Sequence, residues 1–313
     1  MNRAASIDIG TNTILLLIAD IEAGEIKPVF EAETIVGLGK GLQRSGVISP
    51  EAMERGFQTL SQYLDRCRKM DVKSVFAVGT SALREAKNSR DFLEMIDKRL
   101  RFPIEIISGE EEARLSFLAV AKDLKEEKQE ILVIDVGGGS TEFILGKGDQ
   151  VREWMSLPLG SVRFTEQFLI SDPVRQEEWD NMEKKIRDLL LNVPQPRESL
   201  IMVAVGGTAT TLATVQLGLK EFIPEKIHHF NLTREALKNQ LILYRSKTIR
   251  EREKIPGLPP PRADVVLAGG AILYLAMERI GCSSLLTSCH GIRYGLLFKK
   301  MRNSECGLRI EKN

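Results

Sequence analysis

Two short segments of the sequence carry residue types suited to phosphate chemistry. Ile7-Asp8-Ile9-Gly10-Thr11-Asn12-Thr13 and Ile134-Asp135-Val136-Gly137-Gly138-Gly139-Ser140 each place one Asp in an apolar run, followed by glycine and small polar residues. Glycine lets a backbone approach a ligand closely, and exposed N–H groups with neighbouring hydroxyls bind anionic oxygens. An Asp in an apolar run is costly unless it is paired or binds a cation. A single Asp-x-Gly is a common tight turn; two copies, one opening each half of the chain, form an internal repeat. A third element, Val205-Gly206-Gly207-Thr208, follows an apolar run and precedes a helical pattern. That arrangement aims backbone N–H groups and a positive dipole end at an anion. It matches neither GxxxxGK[ST] nor GxGxxG. A fourth, Gly269-Gly270, lies in an apolar helical stretch, where close packing and a ligand role are both open.

Strands and helices alternate around these turns. Strands are predicted at Ala4–Ile9, Ile14–Ile21, Ile26–Val36, Val75–Val78 and Pro103–Ile107, then at Ile131–Val136, Thr141–Leu145, Arg152–Leu157, Leu200–Val205 and Leu285–Ser288. Ser49-Pro50-Glu51 is a helix start, with a cap, a proline at the first helical position and an acidic first turn. Further helices are expected at Ser89–Ile96, Glu110–Ala121, Pro173–Leu191, Thr208–Leu217, Arg234–Tyr244, Ala263–Ile280 and Gly291–Met301. Lys122 to Glu130 holds seven charges in nine residues. We read it as the boundary between an N-terminal domain, 1–124, and a C-terminal domain, 125–313; a solvated helix end is the plainer reading.

With 313 residues, 44 Lys plus Arg and 43 Asp plus Glu, the net charge is +1, which excludes a polyelectrolyte and a basic nucleic-acid arm. The apolar fraction of 43% suffices for real cores. No apolar run nears the roughly 18 residues of a membrane helix, and Asp8 interrupts any signal-peptide core. The four cysteines, Cys67, Cys282, Cys289 and Cys306, show no CxxC spacing, so a reduced, cytoplasmic protein without membrane or nucleic-acid partners is expected.

The two Asp-x-Gly hairpins and the later Gly-Gly-Thr turn resemble the actin, heat-shock ATPase and sugar kinase superfamily. Within it the chain is most similar to the exopolyphosphatase and guanosine pentaphosphate phosphohydrolase family. The resemblance rests on the two repeat segments, Thr80-Ser81-Ala82-Leu83-Arg84, Ser108-Gly109-Glu110-Glu111-Glu112-Ala113-Arg114, Asp135 to Glu142 (DVGGGSTE), Gly206-Gly207-Thr208, Arg262-Ala263-Asp264 and Gly291-Ile292-Arg293-Tyr294-Gly295-Leu296. It implies an α/β protein of two ribonuclease-H-like domains with an interdomain active cleft, in a short two-domain form. It also implies Mg2+-dependent removal of the terminal phosphate from inorganic polyphosphate or from guanosine pentaphosphate.

Carried over residue by residue, the resemblance makes Glu112 the general base, with Glu111 as the alternative. The plainer reading is that Glu110, Glu111 and Glu112 complement a helix dipole. Asp135 and Glu142 are expected to hold Mg2+, since a hard cation takes oxygen ligands. Asp8 completes an acidic floor or bonds to its own turn. Thr11, Asn12, Thr13, Gly138, Gly139, Ser140, Gly207 and Thr208 are expected at phosphate; Ser140 and Thr141 could instead cap their turn. Arg84 and Arg262 are candidate phosphate clamps, because guanidinium binds phosphate bidentately and stays charged. Arg293 is a weaker third, and Arg114 pairs with Glu110 four residues earlier.

One departure is visible. Many relatives carry a basic residue just after the first turn, where this chain reads Ile14-Leu15-Leu16-Leu17. His228 and His229, adjacent on a strand, would point apart and make a poor metal pair. Cys289-His290 lies at a strand-to-helix join, and adjacency orients no base for a thiol. An ATP-dependent kinase or ATPase and a non-catalytic polyphosphate- or alarmone-binding regulator stand as the other function classes. A homodimer is the expected assembly.

Overall fold

The apolar runs around the first Asp-x-Gly turn become Asn2–Ile9 (β1) and Thr13–Glu22 (β2), antiparallel, with Asp8 opposite Leu15. Glu25–Ile35 (β3) continues the meander, and Ser74–Gly79 (β4) returns parallel to β1, placing Val78 beside Asp8. A short Glu105–Ile106 (β5) pairs with β4. This computed structural model describes residues 2–196, 200–302 and 308–309.

The second half repeats the plan. Glu130–Val136 (β6), Thr141–Lys147 (β7) and Gln150–Leu157 (β8) form the meander, and Leu200–Val205 (β9) returns parallel to β6. Asn231–Thr233 (β10) and Ser284–Thr287 (β11) extend this sheet to the order β10-β11-β9-β6-β7-β8. Leu308–Arg309 (β12), in a tail expected to fray, pairs antiparallel with β4 of the first sheet. Each sheet thus has a three-strand meander and a parallel return on its first strand, the α/β, ribonuclease-H-like plan that the resemblance implies.

The helices follow their caps. Ser49 Oγ accepts the Ala52 N–H at 3.2 Å, and the helix Pro50–Lys69 buries Phe57, Leu60 and Leu64 as a stripe. That stripe packs with Phe92 and Ile96 of the helix Ser89–Leu100 against Ile7, Ile14 and Leu16. In the second half the apolar helix Val266–Ile280 is buried with Ile134, Phe143 and Met202. Among the described residues, no helix is long and apolar enough to cross a membrane.

The division of the chain differs from the expected 124/125 boundary. The compact units are Met1–Ala119 with Ile292–Asn313, and Val120–Gly291. The first break falls inside the helix Gly109–Leu124, so the charged run from Lys122 begins as a solvated helix end. The helix Ile292–Arg302, expected to end the second domain, belongs to the first unit. Its Tyr294 and Leu297 share a buried cluster with Ala4, Leu17 and Ala19, the sheet face that the Pro50–Lys69 helix leaves uncovered. A Cβ on Gly295 would collide with the Leu115 backbone, so this contact needs glycine. A helix at Ser161–Phe168 was not anticipated, and the Gly-Gly-Thr helix starts at Gly206 rather than Thr208.

Candidate active site

In the second unit the turn Gly137–Ser140 is closed by the Gly137 N–H bonding to the Ser140 carbonyl at 3.0 Å. Its own carbonyls point into the start of the helix Ser161–Phe168. Gly137 O accepts the Ser161 N–H at 2.9 Å, Gly138 O accepts the Val162 and Arg163 N–H groups at 3.0 Å, and Gly139 O accepts Arg163 Nε at 2.7 Å. A trans peptide holds its C=O and N–H on opposite sides. Pinning these three carbonyls therefore aims the N–H groups of Gly138, Gly139 and Ser140 to one other side, an anion-binding concavity. A Cβ on Gly160 would collide with Gly138, which explains the glycine before the unanticipated helix.

Asp135 and Glu142 lie directly opposite one another on β6 and β7, and Glu142 lies opposite Ser156 on β8. Opposed residues of an antiparallel pair hold their Cβ atoms roughly 4.5–5.5 Å apart on one face. Glu142 is almost fully buried and accepts from Ser156 Oγ at 2.8 Å. Two carboxylates at that spacing repel; a divalent cation between them reverses the sign. The donor set is all oxygen and fits a hard cation that keeps part of its water shell.

The Gly206 turn completes this group. Gly206 has φ +84°, and a Cβ there would lie 2.7 Å from Asp135 Oδ1. A Cβ on Gly207 would collide with the Arg262 guanidinium, so the expected clamp lies over the expected phosphate turn. Thr208 spends its hydroxyl on the Val136 carbonyl at 3.2 Å. Thr141 Oγ1 likewise donates to the Leu159 carbonyl, outside its own turn.

The first unit holds a second cradle. The Gly10 N–H bonds to the Thr13 carbonyl at 2.9 Å, Thr11 O accepts the Gly39 N–H at 2.8 Å, and Asn12 O accepts the Val36 and Gly37 N–H groups at 2.9 and 2.8 Å. The same peptide geometry turns the Asn12 and Thr13 N–H groups away from this supporting loop. Asn12 Nδ2 is buried with no hydrogen-bond partner among the described residues, a donor suited to an anion.

Of the three consecutive glutamates, Glu110 pairs with Arg114 at 2.8 Å and Glu111 with Lys299 at 2.8 Å. Glu112 is 6% exposed and bonds to Arg84 Nη1 at 2.5 Å, while the same nitrogen donates to the Ile107 carbonyl at 3.1 Å. All three carboxylates are paired, and Glu112 is the buried one of the three. Arg293 donates to Leu16 O at 2.8 Å and pairs with Glu31 at 3.1 Å, which makes it a structural residue of its own unit.

The family model of the Ppx/GppA phosphatase family matches residues 17–304. The chain belongs to the Ppx/GppA phosphatase family. The Ppx/GppA family member of Aquifex aeolicus shares 35% identity, with 97% of this chain and 99% of that one covered and a TM-score of 0.83. An exopolyphosphatase from Cytophaga hutchinsonii shares 29% identity over 98% of this chain and all of its own, with a TM-score of 0.89. A bifunctional 3-dehydroquinate synthase/phosphatase of Fusobacterium nucleatum is 32% identical over 96% of this chain; the chain spans 46% of that protein's length.

Among residues of this Ppx/GppA chain that sequence reasoning missed, Ser156 was legible from strand alternation opposite Glu142. Arg163 and Gly160 had no local signal, because their partner turn is about twenty residues earlier. The expectation that His228 and His229 point apart is corrected. The two lie in the turn between the helix Pro224–Ile227 and β10 rather than on a strand, His229 has φ +60°, and the two rings stack with centroids 4.0 Å apart. Among the thiols, burial pushes Cys67 up to about 12, so it is no nucleophile; Cys306 lies outside the described residues.

Proposed function

We propose that this phosphatase is an exopolyphosphatase that hydrolyses the terminal phosphate of inorganic polyphosphate with Mg2+. The observation that carries the reading is Glu112, a buried carboxylate held at 2.5 Å by Arg84 in a chain that also carries two anion cradles. Glu112 takes a proton from the attacking water, whose oxygen bonds to the terminal phosphorus. The anhydride P–O bond breaks, and the polyphosphate leaves one phosphate shorter. Arg84 keeps the carboxylate in one orientation. The N–H groups of Gly138, Gly139 and Ser140, with those of Asn12 and Thr13, bind phosphate oxygens, and Arg262 adds a permanent positive charge beside Gly207. Asp135 and Glu142 would hold Mg2+, which when bound neutralises phosphate oxygens and lowers the cost of developing charge. Asp8 adds a second acidic group at the end of β1.

The apolar Leu15 opposite Asp8 removes one cation expected along a long polyanion, and this favours guanosine pentaphosphate as the second reading. Phosphate release from long-chain polyphosphate, guanosine pentaphosphate and ATP, each with Mg2+, separates the readings. Release is expected from polyphosphate, and Glu112→Gln is expected to lower kcat by roughly 100-fold or more. Release from pentaphosphate alone would move the assignment to the second substrate. Wild-type rates in Glu112→Gln would remove the base. Tight binding of polyphosphate without any release would make the chain a regulator.

A further inference from the structure

All three histidines of the chain come together on one carboxylate. His228 Nε2 lies 3.2 Å from Asp123 Oδ1, His229 Nε2 2.6 Å from Asp123 Oδ2, and His290 Nδ1 3.5 Å from Asp123 Oδ1. The His228 ring lies 4.0 Å from that of His229 and 4.3 Å from that of His290, centroid to centroid. Asp123, His228 and His290 each offer one ligand atom, and these atoms all fall within 4.8 Å of one another. The residues come from the end of the helix Gly109–Leu124, the turn before β10 and the join after β11, all within the second unit.

We propose that Asp123, His228 and His290 form a binding site for a divalent transition metal of the zinc class, with a fourth position open to water. Two imidazoles and one carboxylate suit Zn2+, Co2+ or Ni2+ and not Mg2+. Ligand bonds of about 2.0–2.2 Å in a tetrahedron put neighbouring donor atoms about 3.4 Å apart. The observed separations of 3.2 and 3.5 Å match that edge. His229 bonds to the other Asp123 oxygen and serves as the outer partner that orients a metal-bound carboxylate.

His228 and His229 meet the Asp123 carboxylate through hydrogen bonds without an ion. The Cys289 N–H donates to His228 Nδ1 at 3.2 Å, which puts the ring proton on Nε2. On metal capture that proton moves to Nδ1 through solvent, and the Cys289 contact opens. Asp123 stands just after the chain enters the second unit and His290 just before it leaves. An ion here ties the entering segment to the leaving one.

The test uses the full chain stripped by a chelator and titrated with Co2+ alone, then with Zn2+ and Mg2+ in thermal melts. We expect one Co2+ per chain with the visible absorption of a tetrahedral N/O site. Zn2+ at 100-fold excess over Kd is expected to raise Tm by roughly 5 °C, and Mg2+ to leave it unchanged. His290→Gln and Asp123→Asn are each expected to weaken Co2+ binding at least about tenfold, and His229→Gln less. Unchanged affinity in His290→Gln, an intense sulfur-to-cobalt band, or no stoichiometric uptake would overturn the site. If Asp123→Asn does not fold, Co2+ broadening of the His228 and His290 ring signals in the wild-type NMR spectrum decides; sharp ring signals at one equivalent refute the proposal.

Discussion

The Asp8 and Asp135 hairpins share a backbone and differ in their floor. Both close with a glycine N–H bonding to the carbonyl three residues on, at 2.9 and 3.0 Å, and a Cβ on Gly10 or Gly137 would lie 3.1 Å from that carbonyl oxygen. Both set Asp one residue before the last of the strand, beside a parallel return strand at Val78 or Val205. Across the antiparallel pair, Asp135 meets Glu142 and Asp8 meets Leu15. The supports differ too, a loop at Val36–Gly39 against a helix at Ser161. The repeat keeps what the backbone needs, and the side chains on the opposed strand differ. In the function proposed above each copy cradles phosphate, and the second, where two carboxylates oppose one another, holds the cation.

The largest effect should come from erasing that difference. Glu142→Leu gives the second hairpin the floor of the first, and Mg2+-dependent phosphate release is expected to fall by about 10³ while the fold persists, as judged by circular dichroism. Activity with unchanged Mg2+ dependence would mean the carboxylate pair is not the cation site. The supports predict the next step. Alanine at Gly160 meets the Gly138 backbone, which cannot rotate away, and should destabilise by roughly 2–3 kcal/mol with a matching loss of activity. Alanine at Gly39 meets the Thr11 methyl, which can turn aside, and should cost about 1 kcal/mol or less in urea denaturation. Equal costs would mean the two turns are held with equal rigidity. The smallest effect belongs to Leu15→Lys, which restores a cation beside the first cradle. KM for long-chain polyphosphate should fall several-fold with kcat within about twofold; an unchanged KM would show that the first hairpin does not touch the chain of phosphates.

Much of this plan was legible. Ser49-Pro50 started a helix where its cap geometry requires one, and Leu200–Val205 was a strand to the residue. The Arg114–Glu110 pair follows from helical spacing alone. The third of three identical glutamates stands apart only because Arg84, 28 residues earlier, reaches it. Strand alternation failed at His228-His229 because the pair lies in a turn, where the left-handed backbone of His229 leaves the two rings stacked. The predicted boundary failed because charge density marks solvation, and a domain is closed by apolar burial, here of Tyr294 and Leu297.

The sequence by itself determined the two hairpins, their glycines and the order of strands, since turn sterics and apolar alternation act over a few residues. It also determined the family, through motifs spread along the chain. Only the tertiary structure decided which carboxylates oppose one another, that Arg262 covers Gly207, that the Ile292–Arg302 helix joins the first unit, and that three histidines meet Asp123. Those contacts join residues up to more than a hundred positions apart, and they are set by which apolar faces pack together, a property of the whole chain.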